Sequence, residues 1–266
     1  MIELIFVIII LGIVSSIGAE IIADTYESYI VQRAEYRATM KTELALNQIA
    51  NRLRYAIPGT VGARAAKGTA FIPITSVVNP NNKVLQWVAY DGDSFEAISS
   101  NANRKPGWSG FCDVDAYGGG TALPTPGSNL TLANTIIGNL GGNIANAVIY
   151  FPNDPTTAYG IGGGAGESIT LDAAIPAGKV YERYKLAWSS YALEVDGSND
   201  LVLHYNFSPI YGAAIQKEQT SILLHNVTNF RFLGSEGSIR VKICKQEPID
   251  NNTNSMAHAC KEKVIF

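Results

Sequence analysis

The sequence has little charge and few histidines, and both shortages exclude classes of protein. Charged side chains make up 16% of the 266 residues, below the usual quarter, and the formal net charge is −3. The chain has 20 Lys and Arg residues against 23 Asp and Glu residues, and its pI is near 5.7. It therefore lacks the excess of positive charge that binds nucleic acid, and we expect no direct nucleic-acid binding. Low charge together with many small polar residues favours an exported, β-rich surface over a cytosolic enzyme.

Catalytic motifs are also lacking. The three histidines, at positions 204, 225 and 258, lie far apart, and no Ser/His/Asp spacing predicts a nucleophile. The glycine-rich stretch Gly160–Gly166 is not followed by Lys-Ser/Thr, so we predict a flexible surface loop there and not a phosphate-binding loop. The sequence therefore predicts no enzymatic activity and no cofactor.

Metal-binding signals are limited to short acidic segments. No Cys-x-x-Cys and no nearby His pair indicates zinc. Asp91 and Asp93 flank a glycine, and Asp113 lies two residues before Asp115, but both segments lack the remaining spacing of a Ca²⁺ loop. Simple turns are the alternative interpretation, and we predict no metal site.

What the sequence does contain is one long apolar run at its beginning. Residues 1–18 read MIELIFVIIILGIVSSIG, with Glu3 as the single charged side chain and no further charge before Glu20. An ionised side chain costs about 2.5–3.5 kcal/mol at the centre of a membrane helix, so Glu3 needs an explanation. One explanation is that Glu3 lies at the end of a membrane anchor and reaches the headgroup water.

A single helix accounts for the whole N-terminal segment. No proline occurs before Pro58, so nothing forbids a continuous helix from Ile2 to about Ile57. At about 1.5 Å per residue, such a helix is roughly 80 Å long, far longer than a bilayer is thick. We expect its first third to lie in lipid or in a bundle of helices. Its last turns carry an apolar stripe at helical spacing that should pack on a globular head: Leu46, Ile49, Ala50, Leu53 and Ile57.

This beginning resembles that of type IV pilins and type II secretion pseudopilins. The matching words are Ile2-Glu3-Leu4, the run from Ile5 to Leu11, and Gly12-Ile13. In that family prepilin peptidase removes a leader after a glycine, the new N-terminus is usually an N-methylated phenylalanine, and the glutamate is the fifth mature residue. Glu3 is the third residue here, so the resemblance implies that the mature chain starts two residues upstream.

The resemblance implies an α+β fold. The long helix would pack by its C-terminal half on an antiparallel sheet, with a long variable loop between them. The polymerisation and transmembrane helix would span residues 1–57, and the β-rich head residues 58–266. Within the head we expect a variable loop region over 58–179, the sheet over 180–243 and a disulfide-bounded loop over 244–260.

Strand signals in the head are clearest after Val180. Leu186–Val195 and Leu201–Phe207 flank Asp196-Gly197-Ser198-Asn199-Asp200, a strong hairpin turn signal. A second turn at Gly234–Gly237 precedes Ser238–Cys244, in which apolar residues alternate onto one face. The other strand-like runs are Ala70–Val78, Lys83–Tyr90, Ala147–Phe151, Ser221–Leu224 and Phe230–Leu233.

The cysteines and sequons fit an exported chain. In an exported chain we expect a Cys244–Cys260 disulfide, which would contribute about 3 kcal/mol in the loop-entropy model. A C-terminal disulfide loop is also typical of pilins. Cys112 is then either a buried small hydrophobe or a reactive thiol. Four sequons are candidate glycosylation sites in a host that can use them, at Asn129, Asn206, Asn226 and Asn251.

The function implied by the resemblance is a subunit of an extracellular pilus-like filament for adhesion, motility or uptake. Its partners would be identical subunits, prepilin peptidase and the pilus assembly machinery, and it would lie in the bacterial inner membrane before assembly. Glu3 would meet a neighbour's N-terminal amine and set axial register. Gly12 and Gly18 either lower helix propensity or allow close helix packing. The alternatives are a pseudopilin of a type II secretion system and a solitary membrane-anchored adhesin or enzyme. Some pseudopilins bind calcium near the C-terminus, and the resemblance makes Glu247, Asp250 and Asn252 the candidates for such a site here.

Overall fold

A computed structural model describes residues 2–77, 81–100, 104–176, 178–235, 237–249 and 255–265. Over these ranges the chain forms one 52-residue helix followed by an α+β head. The helices are α1 (Ile2–Leu53), α2 (Gly92–Glu96) and α3 (Leu130–Asn139). The strands are β1 (Gly62–Arg64), β2 (Ile72–Pro73), β3 (Val84–Ala89), β4 (Ala122–Pro124), β5 (Val148–Phe151), β6 (Asp154–Ala165), β7 (Ser168–Leu171), β8 (Lys185–Ala187), β9 (Ser189–Val195), β10 (Leu201–Phe207), β11 (Gln219–Leu224), β12 (Val227–Ser235), β13 (Ser238–Pro248) and β14 (Met256–Ile265).

The long helix forms as the absence of proline predicted, but it ends at Leu53 and not near Ile57. The chain has already joined the head by then. Ala56 forms an isolated bridge with Ala89, and the amide of Ile57 donates to the carbonyl oxygen of Val88 at 2.9 Å. Pairing with β3 therefore replaces the last helical turn.

The strands of the described residues pair antiparallel in three sheets. The first sheet has the order β11-β10-β9-β3-β1-β2, the second β12-β13-β14, and the third β4-β7-β6-β5-β8. The hairpin expected around Asp196–Asp200 is present, because β9 and β10 pair on either side of it from Leu201 opposite Val195. The second sheet lies against the C-terminal part of α1, which also touches β3 and β11.

One hydrophobic core lies between α1 and the first two sheets. Ile49 and Leu53 of the helix pack in one cluster with Leu85 and Trp87 of β3 and with Val241 of β13. The apolar stripe predicted from helical spacing is confirmed for its four residues on α1, from Leu46 to Leu53, which are all buried in this cluster. Ile57 is buried as well, but it lies beyond the helix and packs in a separate cluster with Val148 and Tyr150. The buried residues of α1 itself are Ala34, Ala38, Thr42, Ala45, Leu46, Ile49, Ala50 and Leu53.

A second core lies in the segment between β3 and β9, where we expected mostly variable loop. β3 and β9 are neighbours in the first sheet, so residues 90–188 leave that sheet and return to it. Within this second lobe α3 packs on the third sheet around side chains that include Trp108, Leu130 and Phe151. No residue of α1 belongs to this described cluster, so the lobe buries its own apolar surface.

The prediction of a flexible loop at Gly160–Gly166 is wrong. β6 runs to Ala165 and pairs with β7, and only Gly166 lies in the turn between them, with φ of +55°. Close approach explains two of these glycines: a Cβ at Gly160 would lie 2.2 Å from an oxygen of Asp172, and one at Gly164 would lie 2.9 Å from Leu130. Composition indicated flexibility where the structure has tight packing.

The C-terminal sheet extends beyond residue 243, where we placed its end. β13 continues to Pro248, and β14 pairs with it from Met256 to Ile265. Cys244 and Cys260 lie directly opposite each other in this pairing and are joined by a disulfide. Most of the described part of the segment expected to be a disulfide-bounded loop is therefore strand.

Candidate assembly surface

The first part of α1, residues 2–33, contains no buried side chain; we call it the lower helix, and residues 34–53 the upper helix. Large apolar and aromatic side chains from Ile2 to Tyr29 lie on every side of the lower helix, and the exposed ones have 52–72% of their surface open to solvent. An 18-residue window has a mean hydropathy of 2.6 and is entirely unburied. By length and composition, α1 is therefore able to cross a membrane.

The residues proposed for filament assembly all lie on the lower helix, but a single chain does not bring them together. Glu3 is exposed in the first turn of α1. Added Cβ atoms at Gly12 and Gly18 would meet nothing within 4 Å, and the helix is continuous through both. Neither glycine breaks the helix here, and both present a gap to an approaching neighbour.

The upper helix is held on the second sheet by polar contacts as well as by its core. Lys41 Nζ donates to Glu247 Oε1 at 2.8 Å, and Lys263 Nζ donates to Asn47 Oδ1 at 2.7 Å. Lys245, only 2% exposed, pairs with the other oxygen of Glu247 at 2.9 Å. Burial alone raises the pKa of Glu247, but the hydrogen bonds from the two lysines outweigh it and lower that pKa.

This arrangement changes the interpretation of Glu247, which the sequence offered as a calcium candidate. Both carboxylate oxygens face lysine ammonium groups, so the local charge repels a cation. Asp250 and Asn252 lie outside the described residues. The Lys41 partner was missed because it lies 206 positions away in sequence, and only the tertiary fold creates this pairing.

The other acidic candidates are turn residues. Asp91 caps α2 by accepting from the amide of Ser94 at 3.2 Å, and its burial raises its pKa, while Asp93 is exposed. Asp113 accepts from the amide of Ala116 at 3.0 Å. Over the ranges that the structure covers, no group of three or more His, Cys, Asp or Glu residues is arranged to hold a metal.

Cys112 is a buried thiol. Its Sγ donates to the carbonyl oxygen of Tyr181 at 2.7 Å. Burial, helped by the nearby Asp113, raises the pKa of this thiol to about 11. A thiol that stays protonated at neutral pH is a poor nucleophile, so the packing interpretation of Cys112 is favoured.

The sequons lie in different environments. Asn129 caps α3 by accepting from the amide of Leu132 at 3.2 Å, and Asn206 is half-buried at a bulge of β10. Asn226 is exposed between β11 and β12, which makes it the most accessible acceptor of these three. Asn251 lies outside the described residues.

One open cleft of about 780 Å³ lies between the second lobe and the first sheet. Trp188, Asp172 and Lys217 line it, together with amide side chains that include Asn143 and Asn206. Among its described lining residues are neither histidines nor cysteines. Of the residues that the sequence singled out, the cleft contains Gly160 and the sequon residue Asn206, but none of the described metal-binding candidates.

Comparisons of the chain with protein-family models, curated proteins and solved structures returned no match. The description of the protein therefore depends on its architecture alone. It has a long N-terminal helix that is apolar and exposed at one end and packed on an antiparallel β head at the other. This arrangement is compatible with a pilin-type N-terminus.

Proposed function

We propose that the protein is a structural subunit of an extracellular, type IV pilus-like filament that polymerises through the lower helix. The observation that carries the proposal is the contrast within α1. Its lower part exposes apolar side chains on every side, whereas its upper part is embedded in the head from Ala34 onward. A helix that is apolar all round is stable in lipid or in the core of a bundle.

In this proposal the lower helix lies first in the lipid of the inner membrane and later in the helix bundle of the filament. The uncharged stretch from Leu4 to Ala19 is shorter than the roughly 20 residues that span a bilayer. A short span suits a subunit that leaves the inner membrane and exchanges lipid for identical helices. Each Å² of apolar surface that leaves water is worth about 25 cal/mol, so bundled lower helices would not return to solvent.

Glu3 sets the register of the filament in this account. In a bundle that excludes water, its carboxylate needs a cation, and the N-terminal amine of a neighbouring subunit supplies one. Glu3→Ala should therefore reduce filament yield sharply, while the protein still accumulates in the membrane. A normal filament yield from Glu3→Ala would remove this role from Glu3.

The partners and location follow from assembly. Prepilin peptidase and the pilus assembly machinery would act on the subunit in the bacterial inner membrane, and the filament would then lie on the cell surface. The second lobe buries its core without α1, which leaves it free to form the outer surface used in adhesion, motility or uptake.

The test is electron microscopy of material sheared from cells with and without the gene, supported by two matched variants. Ile9 and Ile222 are 52% and 51% exposed, so Ile9→Glu and Ile222→Glu place the same charge at equally exposed sites on the lower helix and on the head. We expect filaments from the wild type and Ile222→Glu but not from Ile9→Glu. Immunoblots of the membrane fraction check that both variants accumulate.

Two outcomes would overturn the proposal. One is abundant filaments from Ile9→Glu. The other is a wild-type chain that stays monomeric after detergent extraction and never enters a fibre, which would favour the solitary anchored protein.

A further inference from the structure

Above its apolar run, α1 carries two separate charged faces. The acidic residues recur at spacings of four and three, and the basic residues at spacings of four, so each set shares one side of the helix. All six side chains are exposed. The acidic face consists of Glu20, Asp24 and Glu27, and the basic face of Arg33, Arg37 and Lys41.

These faces are unfavourable in an isolated chain. Like charges three or four residues apart destabilise a helix, and both faces are built from such pairs. Among the described residues, the ion pairs of the chain include only one member of the two faces, Lys41, which pairs with Glu247. The other five charges form no ion pair within the described part of the chain.

The two faces match each other at one offset along the helix. Glu20 and Arg33 are 13 residues apart, as are Asp24 and Arg37, and Glu27 and Lys41 are 14 apart. At about 1.5 Å per residue this offset is about 20 Å. Two parallel copies of α1 displaced by that distance would bring all three acids of one beside the three bases of the other.

The acidic and basic faces also point in different directions. Asp24 and the buried Thr42 are 18 residues apart, which is about five whole turns, so the acidic face continues the head-facing side of α1 downward. The basic face cannot share that side, because the head covers it from Ala34 onward and Arg33, Arg37 and Lys41 remain exposed. When the acidic face of one copy binds the basic face of another, each pair still has one free acidic face and one free basic face. Further copies can then add at both ends, and because each copy is displaced along the axis, the array is an open helix and not a closed ring.

We propose that the acidic face is the docking surface for a second copy of this chain, which binds in parallel through its basic face with an axial displacement of about 20 Å. The proposal deepens the proposed function and depends on it, because it specifies how neighbouring subunits contact each other above the apolar bundle. Exposed ion pairs are screened by salt, so this contact governs register and salt sensitivity more than total filament strength.

The first experiment uses unmodified filaments. A zero-length carbodiimide joins lysine amines to carboxylates in direct contact, and mass spectrometry then identifies the linked peptides. We expect a Glu27–Lys41 link, which must join two copies because these residues are about 21 Å apart along one helix. The Lys41–Glu247 pair, at 2.8 Å within one chain, is the internal positive control.

The second experiment introduces cysteines. Asp24→Cys with Arg37→Cys should give an oxidised ladder of dimers and larger species in sheared filaments, since a disulfide cannot span the distance within one helix. Asp24→Cys with Glu43→Cys is the matched control and should give no ladder. If filaments form but neither the Glu27–Lys41 link nor the ladder appears, the docking surface is wrong and the proposed function stands. If the wild type forms no filament, both fail.

Discussion

The lower and upper parts of α1 belong to one unbroken helix but have opposite surroundings. In the upper helix, Ile49 and Leu53 are covered by strands of the head, and Lys41 forms an ion pair with Glu247 of β13. The lower helix contacts nothing buried, although it is the more apolar of the two. Within the described residues the head therefore covers only one end of the helix, and our proposal is that lipid and then identical helices cover the other end.

The largest effect should come from removing the lower helix. A chain lacking residues 1–30 keeps every buried position of α1, because the first of these is Ala34. We expect it to be a soluble monomer that forms no filament and whose Tm lies within about 2 °C of the full-length head in detergent. Calorimetry and size-exclusion chromatography measure both. A truncated head that unfolds or aggregates would show that the two parts of α1 are not energetically separate.

The next effect compares two residues of the upper helix. Ile49 is 0% exposed and Leu44 is 57% exposed. In the truncated head, Ile49→Ala should lower the free energy of unfolding by about 2–5 kcal/mol, because it leaves a cavity in the core. Leu44→Ala should change it by less than about 0.5 kcal/mol. Urea titration measures both values, and equal losses would mean that the helix does not sit on the sheet as described.

The disulfide should contribute less than the largest core substitutions. Replacing Cys244 and Cys260 by serine frees the β13–β14 hairpin in the unfolded chain and should cost about 3 kcal/mol. Cys112→Ala, which removes no crosslink, is the control and should cost less. Unfolding curves that are unchanged by the double substitution would contradict a stabilising role for this bond.

The smallest effect concerns the ion pair between the upper helix and β13. Lys41→Met should cost about 0.2–1 kcal/mol at pH 7, because the lysine is half-exposed and the pair is partly screened. The pKa of Glu247 is lowered by folding, so its contribution is present above the unfolded pKa and is lost as pH falls through the folded pKa. The difference between variant and wild type should thus shrink as the pH falls below the ordinary carboxyl range and disappear once Glu247 is protonated in the folded protein. A difference that grows on acidification, measured by urea unfolding, would reverse the assigned sign.

Local patterns predicted the parts of the fold that depend on neighbouring residues. The proline-free segment gave α1, and the predicted stripe from Leu46 to Ile57 gave its buried face as far as Leu53, where the helix ends. The Asp196–Asp200 turn gave the β9–β10 hairpin. The second lobe was missed because its strands depend on distant contacts. A Cβ at Gly164 would lie 2.9 Å from Leu130, and nothing in the neighbouring sequence signals that proximity.

The candidate assembly surface likewise has some features that follow from local sequence patterns and others that depend on distant contacts. The exposed apolar residues and both charged faces of α1 are visible in the sequence, since helical spacing alone assigns them to sides. The contact of Glu247 with Lys41 is not, because Lys41 reaches it only after the second sheet has packed on the helix. Lys245, by contrast, lies two residues away on the same strand, where alternate residues share a face. Assembly itself involves copies that a single chain does not contain, so it stays a prediction.

The most direct test of the central claim is a cryo-electron microscopy reconstruction of fibres purified from the cell surface. The account predicts a core of parallel lower helices, with the Glu3 carboxylate about 3 Å from the N-terminal amine of an adjacent subunit. Fibres whose core is made by the β heads, with lower helices left outside it, would contradict the account.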